Sequence, residues 1–259
     1  MIKRSERILT TAFVLWLIAL LPRVVGLGGF LTIDEIKWIE GAGQFVLALQ
    51  SGDLAKTYWH FFPGITITWG EALFLALGSL ISGYNLSEYA STLINDPAHS
   101  IWFFRLPGAL LTSIFGTGIY LLTRHWLGQW GASLAGALVG LDPFLLAHSR
   151  IVNGDAGVAG FMLLSWLAFI ASWPHSPIGM IILSGLLGGL ALLTKLPSPL
   201  IIPFIILLAF IGWWQARRTT INSPHFLPNS ALTESSDNVL RLNLMRGAFG
   251  VRTMGIWLL

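Results

Sequence analysis

Six runs free of Asp, Glu, Lys and Arg divide this chain, at residues 8–22, 106–123, 126–141, 156–173, 176–194 and 196–214. Each lies near the ~17–25 apolar residues that cross a bilayer as a helix, the first and third somewhat short. A chain with so many such runs has no room for a large soluble domain, and its 54% hydrophobic and 10% charged composition agrees. The expected fold class is an all-α polytopic membrane protein. Lys3, Arg4 and Arg7 precede the first run and place the N-terminus in the cytoplasm by charge bias. No small-residue cleavage site follows that run, so it reads as an anchor and not as a signal peptide. The chain holds no cysteine, which excludes disulfides and thiolate metal sites. A net charge of +3 with scattered basic residues excludes a nucleic-acid partner.

Topology hinges on residues 65–82, ITITWGEALFLALGSLIS. Their length allows a crossing, but Glu71 would then enter hydrocarbon at a cost of roughly 3 kcal/mol. Gly64 and Gly83 bracket the segment, which reads as a re-entrant or outer-leaflet helix. Without that crossing, the inner side holds Lys3, Arg4, Arg7, Arg124, Arg217 and Arg218, six basic residues against six outside, so charge bias alone gives a tie. This reading puts three polar clusters on one face: a long first outer loop from Arg23 to Arg105, a second from Asp142 to Asp155, and a turn at Lys195.

Inside the first loop, Ile36, Ile39, Gly43, Val46 and Leu47 fall on one face at helical spacing, with Lys37, Glu40 and Gln44 opposite. That pattern predicts a helix lying on the membrane surface, ended by Ser51-Gly52-Asp53. Residues 58–64, YWHFFPG, supply interfacial aromatics, and residues 83–100 read as a solvent loop or small lid. Gly185, Gly188 and Gly189, and Gly131, Gly136 and Gly140, predict close helix packing. The adjacent acids Asp34 and Glu35 open the first loop where the chain leaves the apolar run. Such a pair suits an enzyme that takes a proton from a hydroxyl at the membrane surface; it equally suits a solvated helix start.

The ordered set Asp34-Glu35, Ser51-Gly52-Asp53, His60 to Pro63, Arg105-Leu106-Pro107, then Pro143, Arg150 and Asp155, and Leu193-Thr194-Lys195 resembles the GT-C polyprenyl-phosphate-sugar glycosyltransferases. Protein O-mannosyltransferases and the lipid A aminoarabinose transferase belong to that group, and the resemblance covers about residues 8–214. It departs at Phe62, where the family carries a basic residue or a second proline, and this leaves the polar work of that element to His60. The resemblance implies a GT-C transmembrane helix module over residues 1–218, truncated relative to the family, with residues 219–259 an irregular tail. An inactive fragment is one alternative that it leaves open. A lipid or solute transporter is another; an inverted repeat would favour it, and none is visible in these runs.

The implied activity is transfer of a sugar from a polyprenyl phosphate to a protein, lipid or glycan acceptor on the extracytoplasmic side of a multi-pass plasma-membrane enzyme. Asp34, Glu35 and Asp155 would be the catalytic carboxylates, with Asp34 the general base. Asp155 also reads as a helix cap, and Asp142 as a helix-end or turn residue. His60, Arg105, Arg150 and Lys195 would bind substrate, the cations facing the departing phosphate. Lys195 also reads as an anchor at the bilayer edge, and Arg105 as a structural residue at a helix start. Asp34, Glu35, Asp155 and His60 offer oxygen and imidazole to a divalent cation, but no ligand spacing compels one.

Overall fold

A computed structural model describes residues 2–58, 64–173 and 178–221. Nine helices order these residues: α1 (Ile2–Val24), α2 (Ile33–Ser51), α3 (Ile65–Ser82), α4 (Leu86–Asn95), α5 (Pro97–Gly140), α6 (Pro143–Ser149), α7 (Asp155–Ala171), α8 (Ile178–Thr194) and α9 (Ile201–Ile221). Among the described residues there is no strand. α1, α3 and α5 are each long and apolar enough to cross a membrane, and α7, α8 and the start of α9 form shorter apolar helices. The chain is an all-α polytopic membrane protein.

Two compact units divide the chain, one of residues 1–164 and 188–198, the other of residues 165–187 and 199–259. The first is built on α5, against which α1 and α3 pack. α5 is two arms rather than a straight rod, because Gly128 (φ 68°, ψ 176°) leaves helical geometry inside it. That left-handed φ favours glycine. The arms then meet at glycines: a Cβ on Gly116 would lie 2.6 Å from the Gly136 carbonyl oxygen, and one on Gly136 would lie 2.5 Å from that of Gly116. Gly136 therefore makes the close approach expected of it, whereas a side chain on Gly189 would meet open space.

α2, α3, α4 and α5 share a core of Ile39, Phe45, Val46, Leu75, Ala90 and Phe104 with their neighbours. The α2 face that reads as apolar supplies Ile39, Gly43 and Val46, while Lys37, Glu40 and Gln44 stay exposed. Leu47 is exposed as well, which narrows the predicted stripe. Gly52 ends α2 in a left-handed cap (φ 72°), its N–H donating to Ala48 and Leu49 carbonyls.

Three expectations change here. Residues 83–100 are not a loop: Asn85 caps α4 by accepting from the Ser87 N–H, and α4 packs on α2 and α3. Arg105 does not stand at a helix start, because α5 begins at Pro97 and carries Arg105 and Pro107 inside it. Arg23 is not a loop residue either; it is 2% exposed in the last turn of α1, donating to the Ala19 and Gly140 carbonyls at 2.6 Å. Charge marks a helix boundary only where the charge faces water, and here partners in distant segments bury it.

The C-terminal end of α8 docks on the start of α3. Gly64 N–H donates to the Thr194 carbonyl at 3.1 Å, and the Thr66 and Thr194 hydroxyls lie 2.8 Å apart. This seam brings Lys195 to the first turn of α7. In the second unit, Ser165 and Ser184 exchange reciprocal hydroxyl-to-carbonyl bonds of 2.8 Å, joining α7 to α8. Serine pairs of this kind let apolar helices approach closely while satisfying their own hydroxyls.

Candidate active site

The acidic pair opens α2. Thr32 is the N-cap, and the sequence Thr32-Ile33-Asp34-Glu35 places a glutamate at the third helical position, where it reaches back to the Thr32 N–H at 3.0 Å and hydroxyl at 2.9 Å. Glu35 also accepts from Arg105 Nε and Nη2, each at 2.7 Å, and from the Val152 N–H at 2.8 Å. Arg105 in turn donates to the carbonyls of Leu27 and Phe30, and the Phe30 ring lies 5.5 Å from its guanidinium carbon. Glu35 is 1% and Arg105 3% exposed. One bidentate ion pair thus ties together the α1–α2 loop, α2, α5 and the loop after α6.

Burial alone would raise the pKa of Glu35, but Arg105, the Val152 N–H and the Thr32 groups together hold it below the ordinary carboxylate value. The carboxylate is ionised at neutral pH and its lone pairs are engaged. It is poorly placed to accept a proton from an outside hydroxyl. Its neighbour Asp34 is exposed and makes no hydrogen bond or ion pair among the described residues. Consecutive helical residues point about 100° apart, so the two carboxylates serve different surroundings.

A second charge pair joins Asp155 to Lys195, whose side chains remain 41% and 33% exposed. Asp155 is the first residue of α7, yet it does not cap that helix with its side chain. Asn153 Oδ1 takes the Asp155 N–H at 3.1 Å, and the Gly154 carbonyl starts the helical ladder by accepting from Val158. The Asp155 carboxylate is left to Lys195. Asp142 does act as a cap, accepting from the Leu145 N–H at 2.8 Å ahead of Pro143. Arg150 spends its Nη2 on the carbonyls of Val25 (2.6 Å) and Gly26 (3.1 Å), fastening the end of α6 to the end of α1.

A cavity of about 210 Å³ is lined by Arg105 of the first pair and by Val152, and also by Asn153 and Thr194, which are near Asp155 and Lys195 in the chain. Glu71 of α3 also lines it, and sequence reasoning assigned that residue no functional role. The signal was present as a lone acid in an 18-residue apolar helix. Its 1% exposure means that it faces protein and not lipid. His60 lies outside the described residues. Among the described residues no group of three or more His, Asp or Glu could hold a metal ion, and Glu35 is committed to Arg105.

The fold and these paired charges define a multi-pass helical membrane protein with a polar site built at helix ends. The family described as dolichyl-phosphate-mannose-protein mannosyltransferase matches residues 89–232, more than half of the chain, and the chain belongs to that family. The match includes Arg105, Arg150, Asp155 and Lys195, and begins after Asp34, Glu35 and His60. No curated protein and no solved structure matches the chain.

Proposed function

We propose that this chain is the transmembrane module of a glycosyltransferase that moves a sugar, mannose in the first instance, from a polyprenyl phosphate to an acceptor hydroxyl on the extracytoplasmic side of the plasma membrane. The observation that carries the reading is the contrast at the start of α2: Asp34 is exposed and unengaged, while Glu35 is locked to Arg105. Family membership supplies the donor class. Residues 1–218 form the catalytic module.

In this mechanism Asp34 takes the proton of the acceptor hydroxyl while its oxygen attacks the anomeric carbon. The bond from that carbon to the phosphate oxygen breaks, and the polyprenyl phosphate leaves with the electron pair. A single displacement of this kind inverts the anomeric configuration. Glu35 contributes by fixing the first turn of α2, and hence Asp34, through Arg105. Lys195 faces the departing phosphate, exchanging its partner Asp155 for a lipid phosphate oxygen and neutralising the charge that develops there. Asp155 keeps the lysine in place until the donor arrives. Arg150 and His60 complete the donor contacts. The acceptor is a protein hydroxyl, as the family's description suggests, with lipid and glycan hydroxyls as competitors.

The test is transfer in proteoliposomes of known orientation, with labelled polyprenyl-phosphate mannose and an acceptor peptide rich in serine and threonine. The proposal expects label on the peptide and inverted stereochemistry. Label that appears only with a nucleotide sugar, or no transfer from a donor that binds, overturns it.

A further inference from the structure

Glu71 is a carboxyl that the fold does not use. It sits in the second turn of α3 with 1% of its surface exposed, and neither of its oxygens has a hydrogen-bond partner among the described residues. A buried carboxyl without partners costs stability, and a leucine or methionine of similar volume would remove that cost. Arg105 lines the same cavity but directs four donors to Glu35 and two backbone carbonyls. The structural account of Glu71 therefore fails, and a ligand is the remaining source of compensation.

The cavity's chemistry narrows that ligand. Beside Arg105, its polar side chains are those of Glu71, Thr66, Thr112, Asn153 and Thr194, and its aromatic faces come from Phe74 and Phe104. The Thr66 and Thr194 hydroxyls already pair with each other at 2.8 Å. One carboxylate with so few free oxygens is a poor cage for a hard cation, which takes six or more oxygen ligands. An anion would need free cationic donors, and the arginine of the cavity wall is committed to Glu35 and two backbone carbonyls. A neutral ring bearing adjacent hydroxyls fits: two hydroxyls hydrogen-bond the two free oxygens of the carboxyl group, and the C–H face of the ring lies on apolar wall. At about 210 Å³ the cavity is smaller than the roughly 300–1,000 Å³ of drug-sized sites, which suits one sugar ring and excludes a prenyl chain.

We propose that this cavity is the sugar subsite for the donor, and that Glu71 determines its specificity by hydrogen-bonding two adjacent ring hydroxyls. The inference rests on the donor reading given above. It agrees with the position of the cavity beside Asn153 and Thr194, which adjoin the Asp155 and Lys195 pair proposed to meet the phosphate. A ring in the cavity would present its phosphate toward that pair.

Binding, rather than turnover, tests this. The purified full chain in detergent is titrated with polyprenyl-phosphate mannose and with bare polyprenyl phosphate, in wild type, Glu71→Leu and Glu71→Gln, with melting curves on each. Two hydrogen bonds should make the wild type prefer the sugar-bearing lipid by about tenfold or more. Glu71→Leu should bring that ratio to within about twofold, leave affinity for the bare lipid unchanged and not lower the melting temperature. Glu71→Gln, which keeps shape and one acceptor, should fall between, and it carries the test if the leucine variant does not fold. Equal wild-type affinity for the two lipids, or the wild-type ratio kept in folded Glu71 variants, overturns the subsite while leaving the donor reading standing. Wild type that binds neither lipid overturns both.

Discussion

The two charge pairs differ in almost everything except their chemistry. Glu35 and Arg105 are 1% and 3% exposed, bidentate, and surrounded by further partners on both sides. Asp155 and Lys195 are 41% and 33% exposed and hold each other by a single contact. In the first pair each charge depends on the other because water cannot replace it. In the second, water or a ligand can take either partner's place at small cost. The comparison separates a clamp from an exchangeable contact. A phosphate arriving at the membrane surface can displace Asp155 from Lys195; displacing Glu35 from Arg105 would strand a buried charge.

The largest effect should come from breaking the clamp. Arg105→Ala leaves Glu35 buried and ionised, and should destabilise the first unit by ~3–5 kcal/mol, seen as a large fall in melting temperature in detergent. If Arg105→Ala melts within a degree or two of wild type, the pair is not a clamp. Replacing both partners by apolar residues, as in Glu35→Leu with Arg105→Met, should cost much less than the sum of the single changes, because neither charge is then stranded.

Acid should attack the same pair. The folded state holds Glu35 below its ordinary value, so its contribution to stability is present above the usual glutamate range and is lost as pH falls through the depressed folded value. The wild type should therefore lose stability on acidification more steeply than Glu35→Gln below about pH 4.5. Parallel acid profiles would show that the fold does not favour ionised Glu35. The smallest effect on stability belongs to the exposed pair: Lys195→Ala should change it by less than ~1 kcal/mol while weakening donor binding about tenfold. Lys195→Arg should be milder. Unchanged donor affinity in folded Lys195→Ala would reduce the lysine to an interfacial anchor.

Much of this was legible in the sequence, and the failures share one cause. The charge-free runs locate α1, α7 and α8 closely, and Gly52 and Asp142 end and begin helices as their residue types suggest. Treating charges as boundaries misplaced Arg23 and Arg105, since it assumes that a charge meets water. The partner that buries Arg105 is Glu35, on another helix, and no local pattern shows it. The Thr32-to-Glu35 spacing of a capping box stands in the sequence but went unread, and it would have marked Glu35 as structural rather than catalytic. α4 was hidden by the polar composition around it, although Leu86, Ala90 and Ile94 already recur at helical spacing. Glu71 was visible as a lone acid in an apolar helix; that it lacks a partner and lines a cavity depends on α5 and the α6–α7 loop, which only the fold brings to it.

The central claim is that the adjacent acids divide the work, Asp34 doing chemistry and Glu35 holding it in place. Melting temperature and transfer rate measured together on Asp34→Asn and Glu35→Gln test this most directly. Asp34→Asn should melt like wild type, bind donor normally and lose about 10²-fold or more in turnover. Glu35→Gln should melt lower, with any turnover loss tracking the folded fraction and the mobility of the first turn of α2. Wild-type turnover in Asp34→Asn, or a normal melt with abolished turnover in Glu35→Gln, would contradict the account by exchanging the two roles.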